Sequence, residues 1–126
     1  MNSLRVLVVD DSPITLKKLC KMLEDIGHTI AGTARTGRDA IDQYNVLQPE
    51  LVTMDITMPD MDGIEATQCI LQHSPKALII MVTSHGQEQM VIDAIDSGAK
   101  GYVLKPVGED KLSEMIQKVF ERYGSS

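Results

Sequence analysis

Short apolar segments alternate along the whole chain with stretches in which apolar residues recur at every third or fourth position. The apolar segments are rich in β-branched residues, which is typical of strands that are covered on both faces. They predict strands at residues 4–9, 28–33, 51–54, 77–82 and 101–104. The periodic stretches predict helices at residues 13–26, 37–47, 64–73, 87–97 and 109–123.

Strict alternation of five strands with five helices predicts an α/β fold built on a parallel sheet. Right-handed crossovers place helices on both faces, so the sheet is doubly wound. In the flavodoxin-like form of this fold the strand order is 2-1-3-4-5, and ligands bind beyond the carboxyl ends of the strands where the order reverses. No linker, repeat or low-complexity segment interrupts the pattern, so we expect one domain over residues 1–126.

Composition narrows the classes of function. With 12 Lys and Arg against 18 Asp and Glu, the net charge is −6, which argues against binding to a nucleic-acid backbone. No apolar run reaches the roughly 18 residues that a membrane span needs, and no signal peptide precedes the first strand. We therefore expect a cytoplasmic protein whose Cys20 and Cys69 are reduced thiols.

Charged and hydroxyl side chains stand at the carboxyl ends of four predicted strands. They are Asp10 and Asp11 after the first strand, Asp55 after the third, Thr83 at the end of the fourth and Lys105 after the fifth. Because the carboxyl ends of parallel strands meet at one edge, these groups are expected to share a pocket. Crowded carboxylates repel each other, and Mg²⁺ is a hard cation that neutralises them while it shares phosphoryl oxygens.

The same side chains suit phosphoryl transfer. A carboxylate can attack phosphorus and form an acyl phosphate. Lys105 supplies a compact positive charge for the phosphoryl oxygens, and the Thr83 hydroxyl can donate a hydrogen bond to the same group. Electrostatic positioning of this kind is most of what phosphoryl transfer requires of a protein.

Four segments carry a resemblance to a known family. They are Val8-Val9-Asp10-Asp11-Ser12, Met54-Asp55-Ile56-Thr57-Met58-Pro59-Asp60-Met61-Asp62-Gly63, Val82-Thr83-Ser84 and Gly101-Tyr102-Val103-Leu104-Lys105-Pro106. Over essentially its whole length the chain resembles the response-regulator receiver domain, which has a CheY-like fold. Within that family, residues 55–59, residues 86–92 and the single-domain length are most similar to CheY-type chemotaxis regulators.

The resemblance implies a role for each matching site residue. Asp55 is the expected phosphoryl acceptor, and Lys105 and Thr83 are expected to contact the phosphoryl group. The expected Mg²⁺ ligands are Asp10, Asp11, Asp55 and the backbone carbonyl of Thr57.

Three further positions gain an expectation at this point. Tyr102 matches the switch aromatic of the family, whose side chain changes position with the phosphorylation state. Pro106 matches a position where the family has a cis peptide. His85 follows Thr83 by two residues, which places it at the rim of the expected pocket, where it can influence hydrolysis of the phosphoryl group.

A receiver is a signalling switch rather than an enzyme. By resemblance, a histidine kinase donates a phosphoryl group to Asp55, and the changed surface of a monomer binds a downstream target such as the flagellar motor switch. The only reactions expected are Mg²⁺-dependent self-phosphorylation from phosphodonors and autodephosphorylation. Since no output domain follows Tyr123 in the sequence, we expect the chain itself not to bind DNA.

Three other functions stay open at this point. The first is a receiver of a two-component pathway outside chemotaxis. The second is a Mg²⁺-dependent phosphatase with an Asp nucleophile, which needs a second Asp where Thr57 stands and a substrate pocket for which the short loops leave little room. The third is a flavodoxin-like cofactor binder, which lacks a phosphate-cradling loop because Asp10 and Asp11 repel an anion there.

Overall fold

A computed structural model describes residues 3–59, 61–84 and 88–124 of the chain. The strands are β1 (Arg5–Val9), β2 (Thr29–Ala34), β3 (Leu51–Asp55), β4 (Ile79–Thr83) and β5 (Gly101–Leu104). The helices are α1 (Pro13–Asp25), α2 (Gly37–Leu47), α3 (Gly63–His73), α4 (Glu88–Asp96) and α5 (Glu109–Tyr123). Among these described residues, no helix combines the length and the apolarity needed to cross a bilayer.

The five strands form one parallel sheet in the order β2-β1-β3-β4-β5, which confirms the predicted fold class. The order reverses between β1 and β3, and these two strands pair directly, from Val6 beside Leu51 to Val9 beside Met54. β5 pairs with β4 up to Thr83 beside Leu104. The carboxyl ends of β1, β3, β4 and β5 therefore lie in a row at one edge of the sheet.

Most strand boundaries shift by one or two residues from the prediction. β2 begins at Thr29 rather than at residue 28, because the amide of His28 donates to the Leu23 carbonyl over 2.9 Å and still belongs to the end of α1. β4 occupies residues 79–83 rather than 77–82. The helix α3 begins at Gly63, one residue earlier than predicted, while the predicted start of α4 at residue 87 lies outside the described residues.

Capping side chains fix the first residue of helices α1 and α3. The Ser12 hydroxyl accepts from the amide of Thr15 over 3.3 Å and caps α1, with proline at the next position. Asp62 caps α3 by accepting from the amide of Glu65 over 2.8 Å. Each cap satisfies an amide that has no partner within its helix, and it fixes the start of α1 after the carboxyl end of β1 and the start of α3 after that of β3.

The sheet separates the apolar core into two clusters. One cluster lies under α2, α3 and α4 and includes Leu7 and Val9 of β1. The other lies under α1 and α5 and includes Val6 and Val8. Since successive side chains of a strand point to opposite faces, β1 supplies both clusters and its carboxyl end is held rigidly from both sides.

Candidate functional site

Three carboxylates meet at the carboxyl edge of the sheet. Asp10 and Asp11 follow β1, and Asp55 is the last residue of the neighbouring β3. One carboxylate oxygen from each residue lies within 4.8 Å of the others. Asp10 and Asp55 are buried, whereas Asp11 is partly exposed. The structure thus brings together the acids that the sequence predicts. Two of them are buried, and the cluster is accessible to solvent through Asp11.

Lys105 neutralises part of this negative charge. Its Nζ lies 2.8 Å from Oδ2 of Asp10 and 3.5 Å from Oδ1 of Asp55. Its amide donates to the Thr83 carbonyl over 2.8 Å, which holds the residue after β5 beside the end of β4. One ammonium group therefore bridges two carboxylates that come from neighbouring strands.

Backbone groups hold Asp10 in place. Its Oδ1 accepts from the amide of Ser12 over 2.9 Å, and its own amide donates to the Ala34 carbonyl over 3.1 Å. Ser12 thus holds Asp10 as well as capping α1, a role that the sequence analysis does not predict. The signal that could have found it is the two-residue spacing, since an aspartate commonly accepts from the amide two residues further on.

Gly63 brings the start of α3 directly against the end of β3. Its amide donates to the Ile56 carbonyl over 2.7 Å. A Cβ at this position would overlap the carbonyl oxygen of Asp55 and lie 2.9 Å from Cα of Ile56. The sequence places Gly63 in a loop, and only this close approach explains why position 63 carries no side chain.

Burial and charge act together on the ionisable groups of the site. Burial raises the pKa of Asp55 from its ordinary value of 3.8 to about 6; the charge of Asp10 adds to this rise, and Lys105 opposes it. Burial by itself lowers the pKa of Lys105, but the hydrogen bond with Asp10 and the charge of Asp55 outweigh burial and leave that pKa raised. Asp55 is consequently a stronger base than an ordinary aspartate, and it faces a permanent cation.

Two further predicted site residues, Thr83 and Thr57, differ in burial. Thr83 is buried at the end of β4, which runs between β3 and β5. The side chain of Thr57 is exposed, so the prediction concerns its backbone carbonyl alone. His85 lies outside the described residues, and its influence on hydrolysis stays a prediction.

The edge strand β5 carries the remaining features that the resemblance implies. The peptide between Lys105 and Pro106 is cis. Tyr102 is 38% exposed and lies on the edge strand of the sheet. Its role as a switch stays a prediction.

The oxygen donors of the cluster fit a magnesium ion. Mg²⁺ prefers oxygen ligands, takes one or two carboxylates from a protein and keeps several waters. Asp10, Asp11 and Asp55 offer oxygens within 4.8 Å of one another, and the charge of Asp10 already raises the pKa of Asp55. A dication relieves crowding of this kind, so these three residues could hold it.

Titration of Asp55 gives a prediction for the metal-free protein. Because the pKa is raised to about 6, the folded state keeps a proton between about pH 4 and pH 6 that the unfolded chain has already lost. This group therefore lowers the free energy of unfolding as the pH rises through that window. Asp55→Asn removes this titrating group. We therefore expect the free energy of unfolding of the variant to exceed that of the wild type by an amount that grows between pH 4 and pH 7 to on the order of 2 kcal/mol.

Thermal denaturation in EDTA across this pH range measures the effect. Asp42→Asn, which removes an exposed carboxyl group from α2, serves as the control and should follow the wild type. A gain for Asp55→Asn that is the same at pH 4 and at pH 7 would show that Asp55 titrates as an ordinary aspartate.

Comparison with known proteins identifies the family. The model of the response regulator receiver domain matches residues 6–117, and the chain belongs to this family. It is 43% identical over 115 residues to the chemotaxis protein CheY of Thermotoga maritima, with 91% of this chain and 96% of the relative covered. It is 46% identical over 115 residues to the protein CcdB of Bacillus subtilis, with the same coverage of 91% and 96%.

A solved structure of a complex shares the fold. The structure of a CheX-CheY-BeF₃-Mg²⁺ complex from Borrelia burgdorferi matches with a TM-score of 0.89 and 37% identity, over 92% of this chain and 88% of that one. Receiver domains act as phospho-acceptor switches that a histidine kinase phosphorylates, and they bind Mg²⁺ at an acidic site. These comparisons favour the receiver interpretation over the phosphatase and the flavodoxin-like cofactor binder.

Proposed function

We propose that this chain is a receiver of a chemotaxis phosphorelay and is phosphorylated on Asp55 in the presence of Mg²⁺. The observation that carries the proposal is the bridge made by Lys105 between Asp10 and Asp55 at the point where the strand order reverses. Such a bridge supports a phospho-acceptor site, because the ammonium group stands where the oxygens of an incoming phosphoryl group would carry negative charge. The assignment to chemotaxis rests on the similarity to CheY proteins.

The proposed reaction transfers a phosphoryl group from a phosphohistidine to Asp55. A carboxylate oxygen of Asp55 attacks phosphorus, the bond between phosphorus and the imidazole nitrogen breaks, and its electron pair stays on the imidazole. The product is an acyl phosphate on Asp55. With a pKa of about 6, this carboxylate is mostly ionised at pH 7 and still more basic than an ordinary aspartate, which favours the attack.

Each neighbour of Asp55 has a proposed part in this transfer. Asp10, Asp11, Asp55 and the Thr57 carbonyl would hold a magnesium ion, which would supply positive charge for the phosphoryl oxygens. Lys105 orients the phosphoryl group and compensates the charge that it brings. The amide of Ser12 keeps the Asp10 carboxylate turned towards the cluster. Hydrolysis of the acyl phosphate returns the protein to its starting state.

Thr83 and Tyr102 are proposed to carry the signal from the site to the surface. Phosphoryl oxygens favour a conformation in which the buried Thr83 hydroxyl donates to them, and its movement leaves space that the Tyr102 ring can fill. This is a two-state equilibrium that bonding of the phosphoryl group biases. One charge-assisted hydrogen bond, worth about 1.5–3 kcal/mol, shifts such an equilibrium by about one to two orders of magnitude.

The proposed target surface lies on α4 and β5. Exposed apolar side chains gather there: Ile92, Ile95, Tyr102 and Leu104. The partners that we propose are a histidine kinase as phosphoryl donor and a downstream protein such as the flagellar motor switch. A cytoplasmic monomer is the form in which the chain would meet both.

Phosphotransfer from purified histidine kinases of the host tests the proposed function. We expect the chemotaxis kinase to label the chain fastest in Mg²⁺, and EDTA to stop the labelling. Labelled protein should then bind the motor switch protein at least about tenfold more tightly than unlabelled protein. Faster labelling by a kinase of another pathway would contradict the assignment to chemotaxis. Labelling that persists in EDTA would show that phosphorylation does not require the metal ion.

Asp11→Ala should separate metal binding from folding. We expect the variant to bind Mg²⁺ at least about tenfold more weakly, a loss that is typical even for groups outside the first shell of ligands. In EDTA it should be more stable than the wild type, because one of three crowded carboxylates is gone. Thermal shift against Mg²⁺ concentration measures both effects. A variant that is less stable in EDTA and binds Mg²⁺ normally would show that Asp11 is not a ligand.

A further inference from the structure

The opposite edge of the sheet has a groove of its own. Three cavities of about 460, 420 and 170 Å³ lie around the amino-terminal ends of β3, β4 and β5 and the end of α5. The first two share Tyr44 and Pro75 in their linings, and the first and third share Lys100 and Tyr123. The three cavities therefore form one elongated depression, which we name the amino-edge groove.

The charge of the amino-edge groove is opposite in sign to that of the chain. Four cationic side chains line it: Lys76, Lys100, Lys118 and Arg122. The carboxylate in its described lining is that of Glu50, which already accepts from the amide of Arg5 over 2.9 Å. In a chain with a net charge of −6, such a concentration of positive charge is a local feature that a negative ligand would complement.

Two of these cations converge on one aromatic ring. The Nζ of Lys100 lies 5.0 Å and the Cζ of Arg122 lies 5.6 Å from the centre of the Tyr123 ring. The amide of Lys100 donates to the Ile79 carbonyl over 2.8 Å, which fixes this residue just before β5. Within the described part of the chain, neither Lys100 nor Arg122 forms an ion pair. The ring attracts both cations but leaves their mutual repulsion uncompensated, and an anion placed between them would relieve it.

Apart from Glu50, Gln48 and Ser74, the rest of the lining is largely apolar. Tyr44, Pro49, Pro75 and Phe120 form walls beside the cations. A ligand that fills the groove therefore needs anionic groups for the cations and an apolar group for these walls. The elongated shape suits an extended segment better than a compact molecule, and the net charge of the chain disfavours a nucleic-acid backbone.

We infer that the amino-edge groove binds an acidic peptide segment of a partner protein, with an apolar side chain of that segment between the walls. This site is separate from the phosphoryl-acceptor site. Lys100 and Lys105 flank β5 and lie five residue steps apart, which sets roughly 16 Å between their Cα atoms and exceeds a Debye length of about 8 Å at physiological salt. Binding in the groove is therefore independent of phosphorylation and does not rest on the proposed function.

Fluorescence anisotropy with a labelled Asp- and Glu-rich peptide that contains one phenylalanine tests this inference. The double variant Lys100→Gln, Arg122→Gln should bind the peptide roughly five- to tenfold more weakly, as the loss of two exposed ion pairs implies. The control is Lys17→Gln, Lys111→Gln, which removes the same charge from exposed positions on α1 and α5 outside the groove and should bind as the wild type does. Lys76→Gln, at an exposed position, gives an independent reading if the double variant is unstable.

Further measurements test whether the peptide binds in the amino-edge groove. Phosphorylation with acetyl phosphate and Mg²⁺ should leave the peptide affinity within about twofold, because the groove lies beyond the reach of the screened charge. Equal affinities for the groove variant and its control, no binding by the wild type, or tighter binding of an oligothymidylate than of the peptide would each overturn the inference. A peptide with lysine in place of every acid should not bind.

Discussion

Replacing Asp55 with asparagine is expected to abolish phosphorylation by acetyl phosphate, although other carboxylates lie within 4.8 Å. Asp10 is a poor substitute because its Oδ1 already accepts from the Ser12 amide and its Oδ2 lies 2.8 Å from Lys105. Asp55 contacts the same ammonium at 3.5 Å, and its raised pKa makes it a stronger nucleophile than an ordinary aspartate. Mass spectrometry of the intact protein should show a full adduct for the wild type and none for Asp55→Asn.

Two controls test whether the loss of the adduct is specific to Asp55. Asp42→Asn, on the exposed face of α2, should take up phosphate as the wild type does. Thermal denaturation of Asp55→Asn at pH 7 in EDTA should show a protein at least as stable as the wild type, which excludes unfolding as the reason for the lost adduct. An adduct of wild-type size on the folded Asp55→Asn variant would assign the acceptor to another residue.

Gly63→Ser should damage both the stability and the chemistry of the site. The added Cβ would overlap the Asp55 carbonyl oxygen, so either α3 or the end of β3 must move. The hydrogen bond of 2.7 Å between the Gly63 amide and the Ile56 carbonyl resists that movement. Overpacking of this kind costs about 1–3 kcal/mol, which lowers Tm by roughly 5–15 °C in a domain of this size. Uptake of phosphate should slow as well, because a shift at the end of β3 changes the position of Asp55 relative to Lys105.

Gly108→Ser is the matched control for this substitution. Position 108 is the cap of α5, has an extended backbone with φ of −93° and has no atom within 4 Å of an added Cβ. A serine there supplies a capping hydroxyl, so its Tm should stay level or rise slightly. Thermal denaturation and the initial rate of phosphorylation compare the two variants. Equal Tm values for the two variants would show that α3 and the end of β3 can move apart at little cost in stability.

Much of the fold and of the candidate site can be predicted from the sequence because local patterns determine both. Each apolar run predicts one strand, and each stretch of helical periodicity predicts one helix. The strict alternation of strands and helices leaves few possible topologies. Asp10, Asp55 and Lys105 stand directly after such runs, so a parallel sheet brings them to one edge whatever the details of packing. The structure confirms their juxtaposition, while their roles in phosphoryl transfer stay proposals.

Boundaries and close contacts cannot be predicted in this way, because they depend on partners that are distant in the chain. Ala77 and Leu78 are apolar and buried, which predicts a strand, but β4 begins only where Ile79 pairs with Val52. Nothing around Gly63 indicates that its Cα faces the carbonyl of Asp55. The cations of the amino-edge groove come from three separate parts of the chain, namely Lys76, Lys100 and the α5 pair Lys118 and Arg122, so no single local charge pattern predicts that they line one groove.

The division of the core into two clusters has a consequence for how target recognition can evolve. The helix α4 rests on one cluster through Ala94, and α5 rests on the other through Ile116, with β5 between them. Among the described residues the two clusters have no member in common, so substitutions under one helix should add to substitutions under the other in their effects on stability. Selection can therefore adjust the tilt of either helix in separate small steps. A lineage can acquire a new partner on one flank of β5 while it keeps an old partner on the other.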